Sequence, residues 1–268
     1  MMRSLWTAAS GMTAQQTNVD TISNNLANVN TVGYKKETTN FKSLLYTKMG
    51  NQAETNAPTT MQVGHGVRIG SSSRMYTQGT IQRTGNPTDM AIEGKGFFTI
   101  MQDDEYMYTR DGNFRMAMLD DGNYALVTTD GHPVVSIDEE PIVVDGGIGV
   151  DKLIVGQDGM ISYMDEETGM RMDIAQLRIV QFSNTEGLEA AGSNMFMETA
   201  ASGVARVESE EDGLTRSIIK SGVLEGSNVD VANEMVNLIV AQRAYELNST
   251  AIKTADTMLQ QANELKRG

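Results

Sequence analysis

Both ends of the chain carry an apolar residue at every seventh position, and this repeat restricts the fold more than any other feature. The N-terminal stripe has four heptad positions and one companion position: Leu5, Met12, Val19, Leu26 and Ile22. The C-terminal stripe continues for five heptads: Val231, Leu238, Tyr245, Ile252 and Leu259. A repeat of this kind is typical of helices that pack side by side as a coiled coil.

The limits of these two helices can be predicted from local signals. Ser227, with Asp230 three residues later, matches a capping box at the start of the C-terminal helix. Lys266 and Arg267 suit the negative end of its dipole. The N-terminal helix is predicted to extend to residue 33, where Gly33 would supply the left-handed turn that ends it.

Each stripe could also belong to an ordinary amphipathic helix that packs on its own core. The residues beside the stripes argue against this, since they are amides and small residues more than charged ones. These amides are Gln15, Gln16, Asn18, Asn24, Asn25, Asn28, Asn233, Asn237, Gln242, Asn248, Gln260 and Gln261. Amides can bind neighbouring helices without the desolvation cost of buried charge, so we expect helices surrounded by other helices.

The centre of the chain differs from both ends. It carries all four prolines and, because the ends at 1–48 and 220–268 have net charges of +3 and −1, a net charge of −16, against −14 for the whole chain. Asp-Gly pairs at 111, 121, 130 and 158 predict turns, and the pair at Asp111-Gly112 predicts a hairpin between strands in 105–118. Residues 173–182 alternate in polarity and predict one longer strand.

The sequence therefore predicts an α+β fold, with N- and C-terminal helices forming a coiled coil and a mostly antiparallel β domain between them. We expect five segments, in this order: an N-terminal coiled-coil helix at 1–33, an extended arm or linker at 34–75, the β domain at 76–200, a return linker at 201–226, and a C-terminal coiled-coil helix at 227–268.

A search for chemistry gives no candidate catalytic, cofactor-binding or metal-binding residue. The chain has no cysteine and two histidines, each beside a glycine in a predicted turn. Residues 64–70, GHGVRIG, lack the glycine spacing of a dinucleotide site, and no Ser-His-Asp elbow is present. Acidic runs lack the spacing of a calcium loop and are typical of solvated turns. We predict a protein that is not an enzyme and needs no cofactor.

Charge and hydropathy also exclude several partners. A net charge of −14 disfavours nucleic acid and anionic membrane surfaces. No apolar run approaches the ~18 residues of a membrane span, and the N-terminal residues do not form a cleavable signal peptide. We therefore expect no nucleic-acid partner, no membrane insertion and, if the chain is exported, a route that needs no cleaved signal.

Several stretches of the chain resemble the bacterial flagellar rod and hook axial proteins. Residues 24–35, NNLANVNTVGYK, are similar to the NNLANxNTxGFK stretch that marks this family, with Tyr34 at the aromatic position. The residues of the match are Asn24, Asn25, Leu26, Asn28, Thr31, Gly33, Tyr34 and Lys35. Residues 226–260 resemble the family's C-terminal segment, and DMAIEGKGFFTI, YTRDGNF and residues 187–203 resemble its centre. The length is closer to distal-rod members than to hook proteins.

The resemblance implies a structural subunit of the flagellar distal rod, a tubular drive shaft that transmits motor torque to the hook and encloses the export channel. It implies self-assembly into a helical polymer and contact with other flagellar rod proteins, the hook protein, surrounding ring or bushing proteins, and the flagellar export apparatus. The implied location is the flagellar basal body, after export across the inner membrane without a cleaved signal peptide. The alternative within the family is a proximal rod or hook-related axial protein.

The terminal helices have a further expected property. A narrow stripe buries little area, and its two halves are far apart in sequence, so closing them together costs entropy. We predict that the ends are disordered or partly helical in the monomer and become ordered on assembly. Two other classes stay open: a secreted enzyme or glycan-binding module, which would need a pocket with convergent polar groups, and a coiled-coil adaptor, which would form a stable dimer of fixed size.

Overall fold

The computed structural model describes residues 2–48, 62–119, 121–146, 149, 152–164, 170–211 and 213–265. The chain forms two compact units. Unit 1 comprises Met1–Ala27, Glu37–Met75 and Asp230–Gly268, and unit 2 comprises Asn28–Lys36 and Tyr76–Val229. The chain therefore crosses from one unit to the other several times. The predicted basic residues Lys266 and Arg267 lie outside the described residues.

Unit 1 contains the two helices, α1 (Met2–Ala27) and α2 (Val231–Leu265). They lie side by side and run in opposite directions. Near the end of α1, Asn25 Nδ2 lies 3.3 Å from Glu234 Oε2 near the start of α2. Further along, a Cβ built on Gly11 would lie 2.9 Å from Asn248 Nδ2. The helices can approach this closely because small residues occupy their contact.

Unit 1 also contains two antiparallel pairs of strands, which lie between the two helices in sequence. Strand β1 (Glu37–Ser43) pairs antiparallel with β4 (Val67–Arg74), and β2 (Tyr46–Lys48) pairs with β3 (Gln62–Gly64). A bulge at Asn40 and Phe41 shifts the first register. Within the described residues, the predicted arm or linker at 34–75 is thus largely β structure.

Unit 2 is built from short strands. They are β5 (Ile81–Arg83), β6 (Met90–Glu93), β7 (Phe97–Gln102), β8 (Glu105–Thr109), β9 (Arg115–Met118), β10 (Tyr124–Val127), β11 (Val143–Val144), β12 (Leu153–Val155), β13 (Met160–Met164), β14 (Arg171–Gln176), β15 (Ile179–Gln181), β16 (Glu189–Gly192), β17 (Met195–Met197), β18 (Arg206–Val207), β19 (Ile218–Ser221) and β20 (Val223–Glu225). A 3-10 turn at Thr185–Gly187 precedes β16.

The largest sheet of unit 2 has the order β16-β17-β8-β7-β15-β18, and its described pairs are antiparallel. Smaller sheets have the orders β11-β10-β9, β12-β13-β14, β19-β6 and β20-β5. One apolar core contains Phe98, Phe114 and Leu126, and a second is an aromatic cluster around Phe97 and Phe196. Phe97 and Phe98 are neighbours on β7 and both are buried, one in each core, because successive side chains of a strand point to opposite faces.

The prediction of an α+β chain, with an antiparallel β region between two terminal helices, is confirmed. The coiled-coil pairing of the helices and the five domain boundaries stay predictions. Strands β18, β19 and β20 lie within the predicted return linker at 201–226, and β14 and β15 divide the single strand predicted at 173–182.

The hairpin predicted at Asp111-Gly112 is wrong. Strand β8 pairs with β7 and β17, whereas β9 pairs with β10. Gly112 is required instead by a close backbone approach, because a Cβ there would lie 1.6 Å from the Met90 carbonyl oxygen. The tight turn of the β7–β8 hairpin lies at Asp103 and Asp104, which both have positive φ. Predicted turns at the other Asp-Gly pairs, such as Asp158-Gly159 between β12 and β13, are correct.

Both predicted helix limits need correction. Helix α1 ends at Ala27, so Gly33 does not form its C-terminal turn. Helix α2 begins at Val231, and its cap is Asp230, whose Oδ1 accepts hydrogen bonds from the Ala232 N–H (3.0 Å) and the Asn233 N–H (3.4 Å). Asp230 is therefore the capping residue itself and not the third residue of a box that begins at Ser227.

Candidate assembly interface

The structure places the predicted stripe residues unevenly. In α1, Ile22 is buried and Leu5, Met12, Val19 and Leu26 are half-buried. In α2, Leu238 and Ile252 are half-buried, whereas Val231, Tyr245 and Leu259 are 36–40% exposed. Within this single chain the C-terminal stripe is therefore only partly covered.

Small and polar residues supply much of the buried surface of the two helices. Those buried in α1 are Ala8, Ala14, Ile22 and Asn25, and those buried in α2 are Glu234, Ala241 and Ala255. The sequence analysis missed Ala14 and Glu234, since neither lies on the apolar heptad positions. Ala14 lies eight residues before Ile22 and Glu234 lies seven residues before Ala241, so each spacing is close to two helical turns and was the available signal.

Helix α2 also exposes large apolar side chains that the heptad repeat did not select. These side chains, which we call the α2 apolar face, are Met235, Val236, Ile239, Val240 and Leu247, each 52–71% exposed. On α1, Trp6 is 76% exposed. Scattered apolar residues are normal on a surface, but a contiguous group of this size on one helix marks an interaction site.

Asn25 explains why the end of α1 is rich in amides. Its Nδ2 donates to the Glu37 carbonyl oxygen (2.8 Å), and its Oδ1 accepts from the Glu37 N–H (2.9 Å). The same Nδ2 lies 3.3 Å from Glu234 Oε2. Because Asn25 is only 1% exposed, one side chain joins the end of α1, the start of β1 and the start of α2 inside unit 1. An amide suits this position since it donates and accepts at once.

The other family-motif residues divide between the two units. Asn24 is exposed and Leu26 is half-buried in unit 1. In unit 2, Asn28 and Thr31 form a turn, in which Thr31 Oγ1 lies 3.1 Å from Asn28 Oδ1 and the Thr31 N–H donates to the Asn28 carbonyl. Tyr34, at 8% exposure, is buried. The structure therefore does not gather the motif residues into one site.

Gly33 has a positive φ of 68°, and a Cβ there would lie 2.7 Å from the Asp111 backbone nitrogen. Its N–H donates to the Glu225 carbonyl (2.8 Å). The glycine is needed for this close approach inside unit 2, which the sequence could not show because its neighbours are distant in the chain.

Lys35 belongs to a buried group of charges in unit 2. Lys35 Nζ donates to Glu225 Oε1 (2.7 Å), and Arg110 Nη1 donates to Glu225 Oε2 (3.3 Å). All three side chains are at most 2% exposed. Burial lowers the pKa of Lys35 and that of Arg110, and the Glu225 carboxylate opposes both shifts. Sequence analysis assigned Lys35 to the motif and missed Arg110 and Glu225.

Unit 2 contains a cavity of about 270 Å³ lined by Leu177, Ile179, Ile218 and Glu208 among others. The buried Glu208 carboxylate accepts hydrogen bonds from Gln181 Nε2 (2.8 Å) and from the Ser217 N–H (2.6 Å) and hydroxyl (2.7 Å). These bonds give Glu208 a structural role in holding two chain segments together.

No group of three or more histidine, aspartate or glutamate side chains among the described residues has the arrangement of a metal site. No helix in the described part of the chain has both the length and the apolar character needed to cross a membrane.

Comparison with known proteins gives consistent results along the chain. A model of flagella basal body rod proteins matches residues 5–35, a model of the flagellar hook protein FlgE/F/G D1 domain matches 91–163, and a model of the flagellar basal body rod FlgEFG C-terminal region matches 220–265. The matches include both helices and the start of the β region, which identifies a class: the axial proteins of the bacterial flagellum.

Relatives narrow this class. The chain is 46% identical to the flagellar basal-body rod protein FlgG of Borreliella burgdorferi, over the whole of both chains. It is 40% identical to that of Caulobacter vibrioides, over 99% of this chain and all of the relative, and 37% identical to that of Bacillus subtilis, over the whole of both. The chain belongs to the FlgG family of flagellar basal-body rod proteins.

Proposed function

We propose that this chain is a structural subunit of the bacterial flagellar distal rod and that it polymerises through its terminal helices. The observation that carries the proposal is the α2 apolar face, which is exposed to solvent in a single chain. A family of rod proteins, to which the chain belongs, would cover such a face by packing subunits together. In the polymer, copies of α1 and α2 would pack as coiled coils in an inner tube, and this packing would cover the face. The tube would transmit torque to the hook and enclose the export channel.

Several other expectations become part of this proposal. The chain reaches the basal body without a cleaved signal peptide, through the flagellar export apparatus, and there it contacts other rod proteins, the hook protein and ring or bushing proteins. It has no catalytic role. The alternative of a proximal rod or hook-related protein is not favoured, because the relatives at 37–46% identity are FlgG proteins.

Polymerisation of the purified chain tests the proposal. Ile239→Gln and Val240→Gln, made together, place two polar side chains on the α2 apolar face without touching the buried contact with α1. We expect the double variant to stay monomeric at concentrations where the wild type forms rods by electron microscopy. Circular dichroism should show the same β signal in both proteins.

Met118→Gln is the matched control, since Met118 is 72% exposed and lies in unit 2. This variant should polymerise like the wild type. If Ile239→Gln/Val240→Gln also polymerises normally, the α2 apolar face is not the assembly surface. In a bacterial strain that lacks its own rod protein, the wild type and Met118→Gln should restore swimming, and Ile239→Gln/Val240→Gln should not.

We also propose that the terminal helices become ordered on assembly. Limited proteolysis of the dilute monomer should first remove the helical ends, before about residue 28 and after about residue 229, because unstable segments open and are cut before a packed core such as unit 2. Cleavage at these positions should cease in the polymer. A monomer that resists protease along its whole length would contradict assembly-coupled ordering, whether or not it polymerises.

A further inference from the structure

Two distant segments of unit 2 lie side by side at the points where the chain enters and leaves it. The Gly33 N–H donates to the Glu225 carbonyl (2.8 Å), and the Lys36 N–H donates to Asn228 Oδ1 (2.7 Å). The Asn228 N–H lies 3.5 Å from the Tyr34 carbonyl oxygen. Residue numbers increase together along both segments, so residues 33–36 and 225–228 run parallel.

A third segment of unit 2 joins this pair. Lys35 Nζ donates to the Thr77 carbonyl (2.9 Å), and the Gly79 N–H donates to Glu225 Oε1 (2.8 Å). Asn228 Nδ2 donates to the Thr77 hydroxyl (3.0 Å). Glu225, which is 0% exposed, therefore accepts hydrogen bonds from one residue in each of three places: Lys35, Gly79 and Arg110.

The segments 33–36, 77–79 and 225–228 lie beside the points at which unit 2 is joined to the rest of the chain. Unit 2 begins at Asn28, is interrupted after Lys36, resumes at Tyr76 and ends at Val229. A pull on the chain from outside unit 2 therefore enters close to the residues that hydrogen-bond to Glu225.

We propose that Lys35, Glu225 and Arg110 form a mechanical clamp that resists the pulling apart of unit 2 by its ends. The two parallel segments are loaded at opposite ends, because the N-terminal side pulls on residue 28 and the C-terminal side pulls on residue 229. Such a load shears the two segments along each other. Their bonds then share the force and must break together, whereas a peeling load would break them one after another.

The burial of the clamp makes it suited to this load. Charges without water around them are poorly screened, and separating them leaves an unpaired buried charge. The exposed pair Lys220–Glu93 in the same unit is a contrast, since its side chains are 45% and 47% exposed and its nitrogen–oxygen distance is also 2.7 Å. Exposed pairs contribute little. The clamp should therefore control how fast unit 2 unfolds under force, and the surface pair should not.

Single-molecule pulling on the full chain tests the clamp. The chain contains no cysteine, so handles can be attached to introduced thiols alone. Ser23→Cys and Ala232→Cys provide exposed attachment points just outside unit 2. In this geometry we expect Glu225→Gln to raise the unfolding rate of unit 2 at a given force by at least about tenfold, since forced unfolding is governed by the unfolding rate. Glu93→Gln, the matched control, should leave the rate unchanged.

A second pulling geometry separates a clamp from an ordinary stabilising contact. Asp121→Cys and Glu186→Cys place handles at two exposed sites within unit 2, away from residues 33–36 and 225–228. Here Glu225→Gln should change the unfolding rate much less than it does in the first geometry. Equal acceleration in both geometries would overturn the proposal, because Glu225 would then stabilise unit 2 in general.

Asn228→Ala and Lys35→Met test the clamp without removing Glu225. If Glu225→Gln does not fold, Asn228→Ala removes only uncharged hydrogen bonds from the same parallel pair and should show the same dependence on geometry, more weakly. An unchanged unfolding rate for Asn228→Ala and for Lys35→Met in the first geometry would also overturn it. These measurements use isolated chains, so they do not depend on whether the chain polymerises.

Discussion

The side chain of Asn25 and the backbone of Glu37 exchange two hydrogen bonds, at 2.8 and 2.9 Å, in the manner of a pair of residues in an antiparallel ladder. The amide thus satisfies both backbone groups at the start of β1 from the last turns of α1. It also contacts Glu234 Oε2, so three elements of unit 1 depend on one buried side chain.

Asn25→Ala should therefore weaken unit 1. The change leaves the Glu37 N–H and carbonyl without their partner, and a buried unsatisfied group costs about 1–3 kcal/mol. In the assembled protein, hydrogen exchange at the Glu37 amide should accelerate by about tenfold or more. Asn24→Ala, at the exposed neighbouring position, should leave this amide unchanged, and equal acceleration in the two variants would contradict the assigned role.

Gly33→Ala should destabilise unit 2 more than a glycine substitution at another residue of positive φ. A Cβ on Gly33 would meet backbone atoms of Arg110 and Asp111 at 2.7–3.0 Å, and backbone cannot rotate away. Gly85→Ala is the control, since Gly85 has a φ of 81° and open space around it. We expect Gly85→Ala to cost about 1–2 kcal/mol of unfolding free energy and Gly33→Ala clearly more. Urea denaturation followed by circular dichroism measures both.

Tyr108 should make the stability of unit 2 depend on pH in the alkaline range. Burial, together with the nearby Glu198 carboxylate, raises the pKa of Tyr108 from 10.0 to about 12. Between these values the unfolded chain has lost the phenol proton and the folded chain has kept it. The free energy of unfolding should therefore be unaffected by this group below pH 10, fall by about 1.4 kcal/mol per pH unit between pH 10 and about 12, and show no further change from this group above that.

Phenolate absorbance gives the measurement. The difference between wild-type and Tyr108→Phe titration curves should show one tyrosine ionising near pH 12 in the folded chain. The same difference measured in denaturant should show it near pH 10. A difference curve centred near pH 10 in both conditions would mean that Tyr108 is solvated in the folded protein.

Asp230→Ala should shorten or destabilise α2 at its start. Asp230 accepts hydrogen bonds from the N–H groups of Ala232 and Asn233 at the first turn, and loss of such a cap costs about 1 kcal/mol. Asp230→Ser, which retains a capping oxygen, should recover most of the loss. Circular dichroism at 222 nm measures the helicity of both variants in the assembled protein. Equal losses of helicity in Asp230→Ala and Asp230→Ser would exclude capping as the cause.

Local features of the fold could be predicted well because they depend on neighbouring residues. The heptad repeats predicted both helices, and Asp121-Gly122 and Asp158-Gly159 predicted the turns of the β9–β10 and β12–β13 hairpins. The pair Asp111-Gly112 has the same local chemistry and is not a hairpin. What decides its conformation is the Met90 carbonyl, which lies close in space and far in sequence.

The candidate assembly surface was predicted only in part for a similar reason. The repeat selected Val231, Tyr245 and Leu259, which remain partly exposed, and it did not select Met235, Val236, Ile239, Val240 or Leu247. A seven-residue period identifies one stripe. It does not show which face a second helix covers, and that depends on the small residues that allow the close approach.

By itself, the sequence determined the class of fold, the two terminal helices and the resemblance to axial proteins, since these follow from composition, period and short motifs. Only the tertiary structure decided what the motif residues do. Asn25 binds Glu37, Gly33 passes close to Asp111, and Lys35 meets Glu225 across a separation of 190 residues. No local sequence pattern predicts such contacts, because they form only when the folded chain brings distant backbone and side-chain groups together in its buried interior.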